Sequence, residues 1–318
     1  MTGLRRGLML TAAFVIPAIP ASVNAQQYPS KSVRLIVPAS PGGGLDIMAR
    51  TVGQPLYTIW GQSVVVDNRP GAGVMLGAEV AAKAAPDGYT VLIVNANLAS
   101  NAVMQQKLGV VNELVPVTML ATLPNALSVP ASSPAKTTGE FIVLAKSSKL
   151  TFGTAGAGTL GHVFAEMLKL QTGSDMVHVP YKGGGPVMAA LTGAQVSAGV
   201  VSVASTVPHM KAGRVRMLAV TGSKRAGVAP EIPTFSEIMP GLVLDGWIGL
   251  LVPKGTPPAV IAALNSSVHK VIAASDTRQR LITQGYDVQS STPDELGTVV
   301  RADLAKYAKV IREANIRE

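Results

Sequence analysis

The sequence predicts an α/β protein built on parallel sheets and divided into two domains. Three observations carry this. Short β-branched apolar runs alternate with stretches of helical periodicity, the pattern of strand–helix–strand units. Several of those runs end in a glycine-rich turn that opens a helix. Once an N-terminal export segment is set aside, about 290 residues remain, enough for two domains of about 150 residues each.

The elements follow in order. Arg5 and Arg6 precede an apolar run, Leu8 to Pro20, that is too short and too proline-broken to span a membrane. Val23 and Ala25 then supply the small residues of a cleavage site, so residues 1–25 are expected to be a secretory signal peptide cut after Ala25. "VRLIV" (33–37) reads as a buried strand, Asp46 to Ile59 as a helix, "SVVVD" (63–67) as a strand and Leu76 to Ala84 as a helix. "DGYTVLIVN" (87–95) is a turn and a strand. Later strands are expected at 150–155, 175–181, 196–201 and 214–220, with helices between. Val260, Leu264, Val268 and Val271 form one stripe of a helix over 259–274. Thr292-Pro-Asp-Glu starts the last helix with proline at its first position.

Two stretches read as crossings between domains. "VPVTMLATLPNALSVP" (115–130) is extended, apolar and proline-containing, and "AVTGSKRAGVAPEIPTFSE" (219–237) is rich in glycine and proline. The first domain is then discontinuous, 26–125 plus 229–318, and the second is the insert 126–228. The crossing strands are expected near 117–130 and 216–230.

Composition excludes several function classes. The formal charge of +9 falls to +7 without Arg5 and Arg6, the cations are scattered, and aromatics are 4%. A nucleic-acid surface would need a basic stripe with interleaved aromatics, so none is expected. There is no cysteine, hence no disulfide, no thiol chemistry and no acylated lipoprotein cysteine. The four histidines show no i, i+4 pair and no accompanying carboxylate cluster, so no metal is expected, and no cofactor either. No G-x-S-x-G elbow occurs, and Ser133-Pro-Ala-Lys136 carries a proline unsuited to a catalytic helix. An enzyme is disfavoured; a periplasmic hydrolase is the alternative from that class.

"VPASPGGGLDIMAR" (37–50) concentrates the chemistry. A phosphate loop would need Gly-Lys followed by Ser or Thr, and no lysine follows. The dinucleotide pattern fails because Ile47 stands where its third glycine belongs. What survives is physical: bare backbone amides at a helix N-terminus attract an anion such as a carboxylate. The arrangement recurs in "NRPGAGV" (68–74), "FGTAGAGTLGH" (152–162) and "VPYKGGGP" (179–186). Several such turns at strand ends should converge on one crevice. Near them, His162 is placed to donate to a ligand, Tyr181 to bracket it, and Lys182 either to face it or to pair with a surface carboxylate. Asp46 is expected to cap its own helix rather than meet an anion, with Arg50 beside it. Trp247 either lines the crevice or fills the core, the core being favoured.

"YPSKSVRLIVPASPGGGLDIMAR", "VVVDNRPGAGV", "AKAAPDGYTVLI", "MVHVPYKGGGP" and "YAKVIREANI" resemble the Bug-type extracytoplasmic solute receptors, the substrate-binding proteins of tripartite tricarboxylate transporters. The resemblance covers about Tyr28 to Ile316. It implies a two-domain periplasmic-binding-protein fold, type II-like, with two parallel or mixed sheets, helices on both faces and a ligand cleft between lobes. It also implies a periplasmic monomer that binds a small mono- or dicarboxylate and works with a membrane permease; a sensor presenting its closed form to a membrane kinase is the alternative. Carried over, the ligand loops are Ser40, Gly42, Gly43, Gly44, Leu45 and Asp46 in one lobe and Thr154, Ala155, Gly156, Gly158 and Thr159 in the other. His162, Tyr181, Lys182, Gly183 and Ser202 complete the candidate set. Members resembling this chain often carry an aromatic at Ala39, Thr at Leu45 and an acid near Ser202. Leu45 and Ser202 here disfavour an amino-acid ligand and admit a less polar carboxylate, aromatic ones included.

Overall fold

The computed structural model describes residues 28–316, so the expected signal peptide lies outside the described residues. Along the chain run β1 (Val33–Val37), α1 (Gly44–Trp60), β2 (Val64–Asn68), α2 (Met75–Ala82), β3 (Thr90–Asn95), α3 (Asn97–Met104), α4 (Leu108–Asn112) and β4 (Leu114–Thr122). There follow β5 (Asn125–Pro130), α5 (Thr138–Ser147), β6 (Thr151–Thr154), α6 (Leu160–Thr172), β7 (Val177–Pro180), α7 (Gly184–Thr192), β8 (Ala198–Ser202), α8 (Val203–Lys211) and β9 (Val215–Val220). The chain closes with α9 (Phe235–Ile238), β10 (Trp247–Pro253), α10 (Pro258–Ala273), α11 (Ser275–Thr283), β11 (Asp287–Val288) and α12 (Pro293–Glu313).

The strands form two mixed sheets. The first has the order β11-β4-β10-β3-β1-β2 and the second β7-β6-β8-β5-β9. β1, β2 and β3 are parallel, while β10 runs antiparallel between β3 and β4. In the second sheet β6 is parallel to β7 and β8, and β5 is antiparallel to β8 and β9. Strand alternation sends Val33, Leu35 and Val37 into a core with α1 and α10, and Ile36 into another with α2, so helices cover both faces of the first sheet.

The chain leaves the first sheet through Leu123 and Pro124, directly between β4 and β5, and re-enters it at Trp247. The two crossings are hydrogen-bonded together: the Leu123 amide donates to Gly246 O (2.8 Å) and the Thr221 amide to Asn125 O (2.8 Å). Phe235, Leu242 and Leu244 pack in the second lobe's core, so the expected boundary at 228/229 falls before a segment that packs with the second lobe. α12 spans both lobes: Leu296 and Val300 pack on the first, Tyr307, Val310 and Ile311 on the second. Its start is fixed by a capping box between Thr292 and Glu295.

Five helices, α3, α4, α5, α9 and α11, have no counterpart in the sequence reading. In α3 the run Leu98 to Ala102 is wholly buried, polar Ser100 and Asn101 included, so no apolar stripe separates from a polar one.

Candidate functional site

Between the lobes lies a cavity of about 310 Å³ at the carboxyl ends of the parallel strands. The first residues of several helices meet in its wall: Gly44 of α1, Asn97 of α3, Leu160 of α6, Gly184 of α7 and, just before α8, Ser202. None of its lining residues is Asp, Glu, Lys, Arg or His. Negative charge would therefore be met by helix dipoles and neutral donors. Among the described residues, the amides of Gly44, Leu45, Ala155, Gly161 and Gly184 have no protein acceptor, as expected for first-turn and loop positions.

The first glycine loop is organised by a carboxylate. Asp46 is 2% exposed and accepts from the Gly42 amide (2.9 Å), Arg50 Nε (3.0 Å) and Asn68 Nδ2 (3.0 Å). The Arg50 hydrogen bond holds its pKa down at about 2 against the cost of burial, with Gly42 and Asn68 adding to the effect. The Gly43 amide donates to Ser40 O (3.0 Å). The loop thus consumes the amides of Gly42 and Gly43 and leaves those of Gly44 and Leu45. Ser40, Gly42, Gly43 and Asp46 do not line the cavity; Gly44 and Leu45 do.

The second loop is organised by neutral imidazoles. His162 is buried and stacks on His178 with ring centroids 3.7 Å apart, and the Phe152 ring lies 5.0 Å from His178 and 6.4 Å from His162. Nδ1 of His162 accepts from the Gly158 amide (3.2 Å), and Nε2 of His178 bonds the Thr154 hydroxyl (2.6 Å). Burial, then the neighbouring His178 and Lys169, push the pKa of His162 down to about 3; burial and Lys169 push that of His178 to about 4. His162 thus holds the loop from beneath, its Nδ1 accepting from the Gly158 amide, and it does not stand in the cavity wall. Thr154, Gly156 and Gly158 also lie off the cavity wall, and Ala155 and Thr159 lie on it. The Thr159 hydroxyl donates to Gly156 O (2.8 Å), a bond internal to the loop.

The remaining candidates divide. Ser202 lines the cavity and caps α8, accepting from the Ser205 amide (3.3 Å) while its hydroxyl meets Ser205 Oγ at 2.8 Å. Tyr181 packs its ring over Gly153, where an added Cβ would lie 3.1 Å from it. Lys182 is exposed, and neither it, Tyr181 nor Gly183 lines the cavity; the Gly183 amide is spent on Ala155 O (3.2 Å). Trp247 is both wall and core: it is 1% exposed, borders the cavity and donates from Nε1 to Asp303 (2.8 Å).

Several wall residues escape sequence reasoning. Asn95 ends β3 and Asn97 opens α3 in "VNANLASN", where clustered asparagines at a strand end were the available signal. Asn97 Oδ1 accepts from the Leu160 amide (3.1 Å), and the Ser100 hydroxyl donates to Gly158 O (2.6 Å), so α3 grips the second lobe's loop. Tyr286 reaches the wall from far along the chain and donates to Gly44 O (3.0 Å); burial pushes its pKa up to about 12. No helix among the described residues is long and apolar enough to cross a membrane.

The family model described as "Tripartite tricarboxylate transporter family receptor" matches residues 48–316. Protein BugT of Bordetella pertussis is 31% identical over 322 residues, covering 99% of this chain and 99% of BugT. The solved structure of periplasmic binding protein BugD is 28% identical with a TM-score of 0.79, covering 91% of this chain and 99% of that one. A structure of R. palustris Rpa4515 with adipate is 31% identical with a TM-score of 0.82, over 91% of this chain and 99% of that one. The two-lobed arrangement described above is thus that of periplasmic binding proteins.

Proposed function

The chain belongs to the tripartite tricarboxylate transporter receptor family, and on that premise we propose that it captures a small organic carboxylate between its lobes and delivers it to a membrane permease of that transporter type. Membership places it among solute-binding receptors and not among enzymes. The observation that carries the reading is a cavity with free first-turn amides from both lobes and no charged side chain. A carboxylate satisfies those amides; a cation or a phosphate-sized polyanion gains less from them. Adipate in the Rpa4515 structure supports the class.

In this reading Gly44 and Leu45 supply one set of donors, and Ala155, Gly161 and Gly184 the opposing set. Asn95, Asn97, Asn125 and Tyr286 orient the rest of the ligand. Charge-assisted hydrogen bonds of about 1.5–3 kcal/mol each offset the cost of bringing the lobes together and leave about micromolar affinity, near −8 kcal/mol. Leu45, Val74, Leu160 and Ile248 make much of the wall apolar. With no acid at Ser202 to meet an ammonium group, an unsubstituted mono- or dicarboxylate is favoured over an amino acid, and the neutral wall admits an aromatic one. The protein acts as a periplasmic monomer, and lob closure presents the permease with a changed surface.

Native purification followed by mass spectrometry of the co-purified acid tests this directly. Calorimetry with adipate and a panel of aromatic acids should give about micromolar binding for at least one carboxylate. Ala155→Trp, which fills the wall at a half-buried position, should abolish it. No carboxylate bound, or aspartate and glutamate preferred to plain acids, would overturn the proposal or its ligand class respectively.

A further inference from the structure

The ribbon joining the lobes has two faces, and only one belongs to the cleft. Leu123 and Asn125 of the outgoing crossing, and Gly246 and Ile248 of the return, line the cavity described above. The alternate positions Thr122, Pro124 and Asp245 line a second cavity of about 800 Å³. This is the two-residue alternation of extended chain, which turns neighbouring side chains to opposite sides. Trp247 stands in the wall of both cavities, so one side chain separates them.

The second cavity is charged where the first is neutral. Lys224 and Arg225 enter it from the segment after β9, Arg278 from α11 and Lys306 from α12. Arg225 is paired with Glu237. Among the described residues the side chains of Lys224 and Arg278 make no hydrogen bond or ion pair to a protein group, and Lys306 makes no direct bond but lies near enough to Asp303 to pull that carboxyl's pKa downward. The carboxylates in the same wall already have donors. Asp245 accepts from the amide and hydroxyl of Ser223, Asp287 from the Gly227 amide (3.2 Å), and Asp303 from the Trp247 indole. The unused hydrogen-bonding capacity is therefore mostly cationic, in a volume within the range of small-ligand sites, about 300–1,000 Å³.

We propose that this groove behind the hinge is a second ligand site, for a small multivalent anion, and that it is linked to the cleft. Lys224 belongs to one lobe and Arg278 to the other, so their separation depends on how far the lobes are closed. An anion bridging them selects the arrangement seen here, in which the Asn97–Leu160 and Ser100–Gly158 bonds join α3 to the second lobe. By reciprocity it tightens binding in the cleft, and a cleft ligand tightens binding in the groove. The site itself stands apart from the transport reading; the linkage rests on that reading.

Calorimetry with inorganic pyrophosphate on the mature chain is the test. One binding event is expected at about 20 mM salt, weakened at about 200 mM by screening. Lys224→Ala combined with Arg278→Ala should weaken it about tenfold or more, the loss of at least one charge-assisted contact, whereas Ala155→Trp in the cleft should leave it in place. Both substituted side chains are exposed, so the fold should survive, and circular dichroism checks this. No binding, loss caused by Ala155→Trp alone, or an equal loss in the remote pair Lys149→Ala and Lys211→Ala would overturn the site. Adipate titrated with and without saturating pyrophosphate reads the linkage: a several-fold gain supports it, and unchanged affinity overturns it. A chain that bound pyrophosphate but no carboxylate would sink the transport reading and leave the groove as a site.

Discussion

The two glycine loops that face each other across the cleft are built from nearly the same residues and held by opposite means. In the first, a buried charge, Asp46, draws the Gly42 amide inward together with Arg50 and Asn68. In the second, uncharged His162 and His178 stack under the loop, and asparagine and serine from the other lobe hold it from the front. A run of glycines therefore announces bare backbone without saying which amides are free. In the first loop the ones left over are Gly44 and Leu45, at the helix start, and not those of the central glycines.

The contrast can be broken most severely in the second lobe. A Cβ at Gly161 would lie 2.1 Å from Val200 O, a backbone atom that cannot swing away. Gly161→Ala should cost about 3 kcal/mol or more and abolish carboxylate binding, as read by urea denaturation and calorimetry. Asp46→Ala comes next. It strands the Gly42 amide, unpairs Arg50 and leaves Asn68 only its bond to Ala39 O, and should cost about 2 kcal/mol while weakening binding through a disordered first loop. Ordinary stability after Asp46→Ala would mean that the loop holds itself without the carboxylate.

Acidification should separate the two loops in time. His162 and His178 have folded pKa values of about 3 and about 4, below the ordinary imidazole value of 6.5. The unfolded chain then binds more protons as pH falls below 6.5, and stability drops from there towards about 3. Asp46, at about 2, loses its contribution only between 3.8 and about 2. Hydrogen exchange near pH 4.5 should show protection lost across 154–162 before 42–46; the reverse order would contradict these assignments. The smallest effect is expected at Thr159. Because its hydroxyl bonds Gly156 O, Thr159→Ala should remove about 1 kcal/mol of stability and leave carboxylate affinity within about twofold, a difference of under 0.5 kcal/mol.

Much of the fold was legible because hydrophobic periodicity is local. Val33 to Val37, the stripe Leu264, Val268 and Val271, and the Thr292 start all declare themselves within a few residues. Placement of glycine turns at strand ends pointed to the cleft wall, where Gly44, Leu45, Ala155 and Thr159 stand, while Ser202, in the same wall, was singled out through the family resemblance alone. What stayed hidden is non-local. His162 reads as a ligand donor until β7 brings His178 against it, and Tyr286 has no visible task until β11 is set beside β4, which carries its ring to Gly44. α3 was invisible for a different reason, since a helix buried on all sides shows no contrast between its faces.

A neutral cleft has one further consequence. Main-chain dipoles do not titrate, so nothing in the wall would switch off as the surroundings turn acid or alkaline within the range where the protein stays folded. Short of the acidity at which His162 and His178 take up protons and the second loop gives way, the point at which capture fails would then be dictated by the guest, where its own carboxyl group takes up a proton.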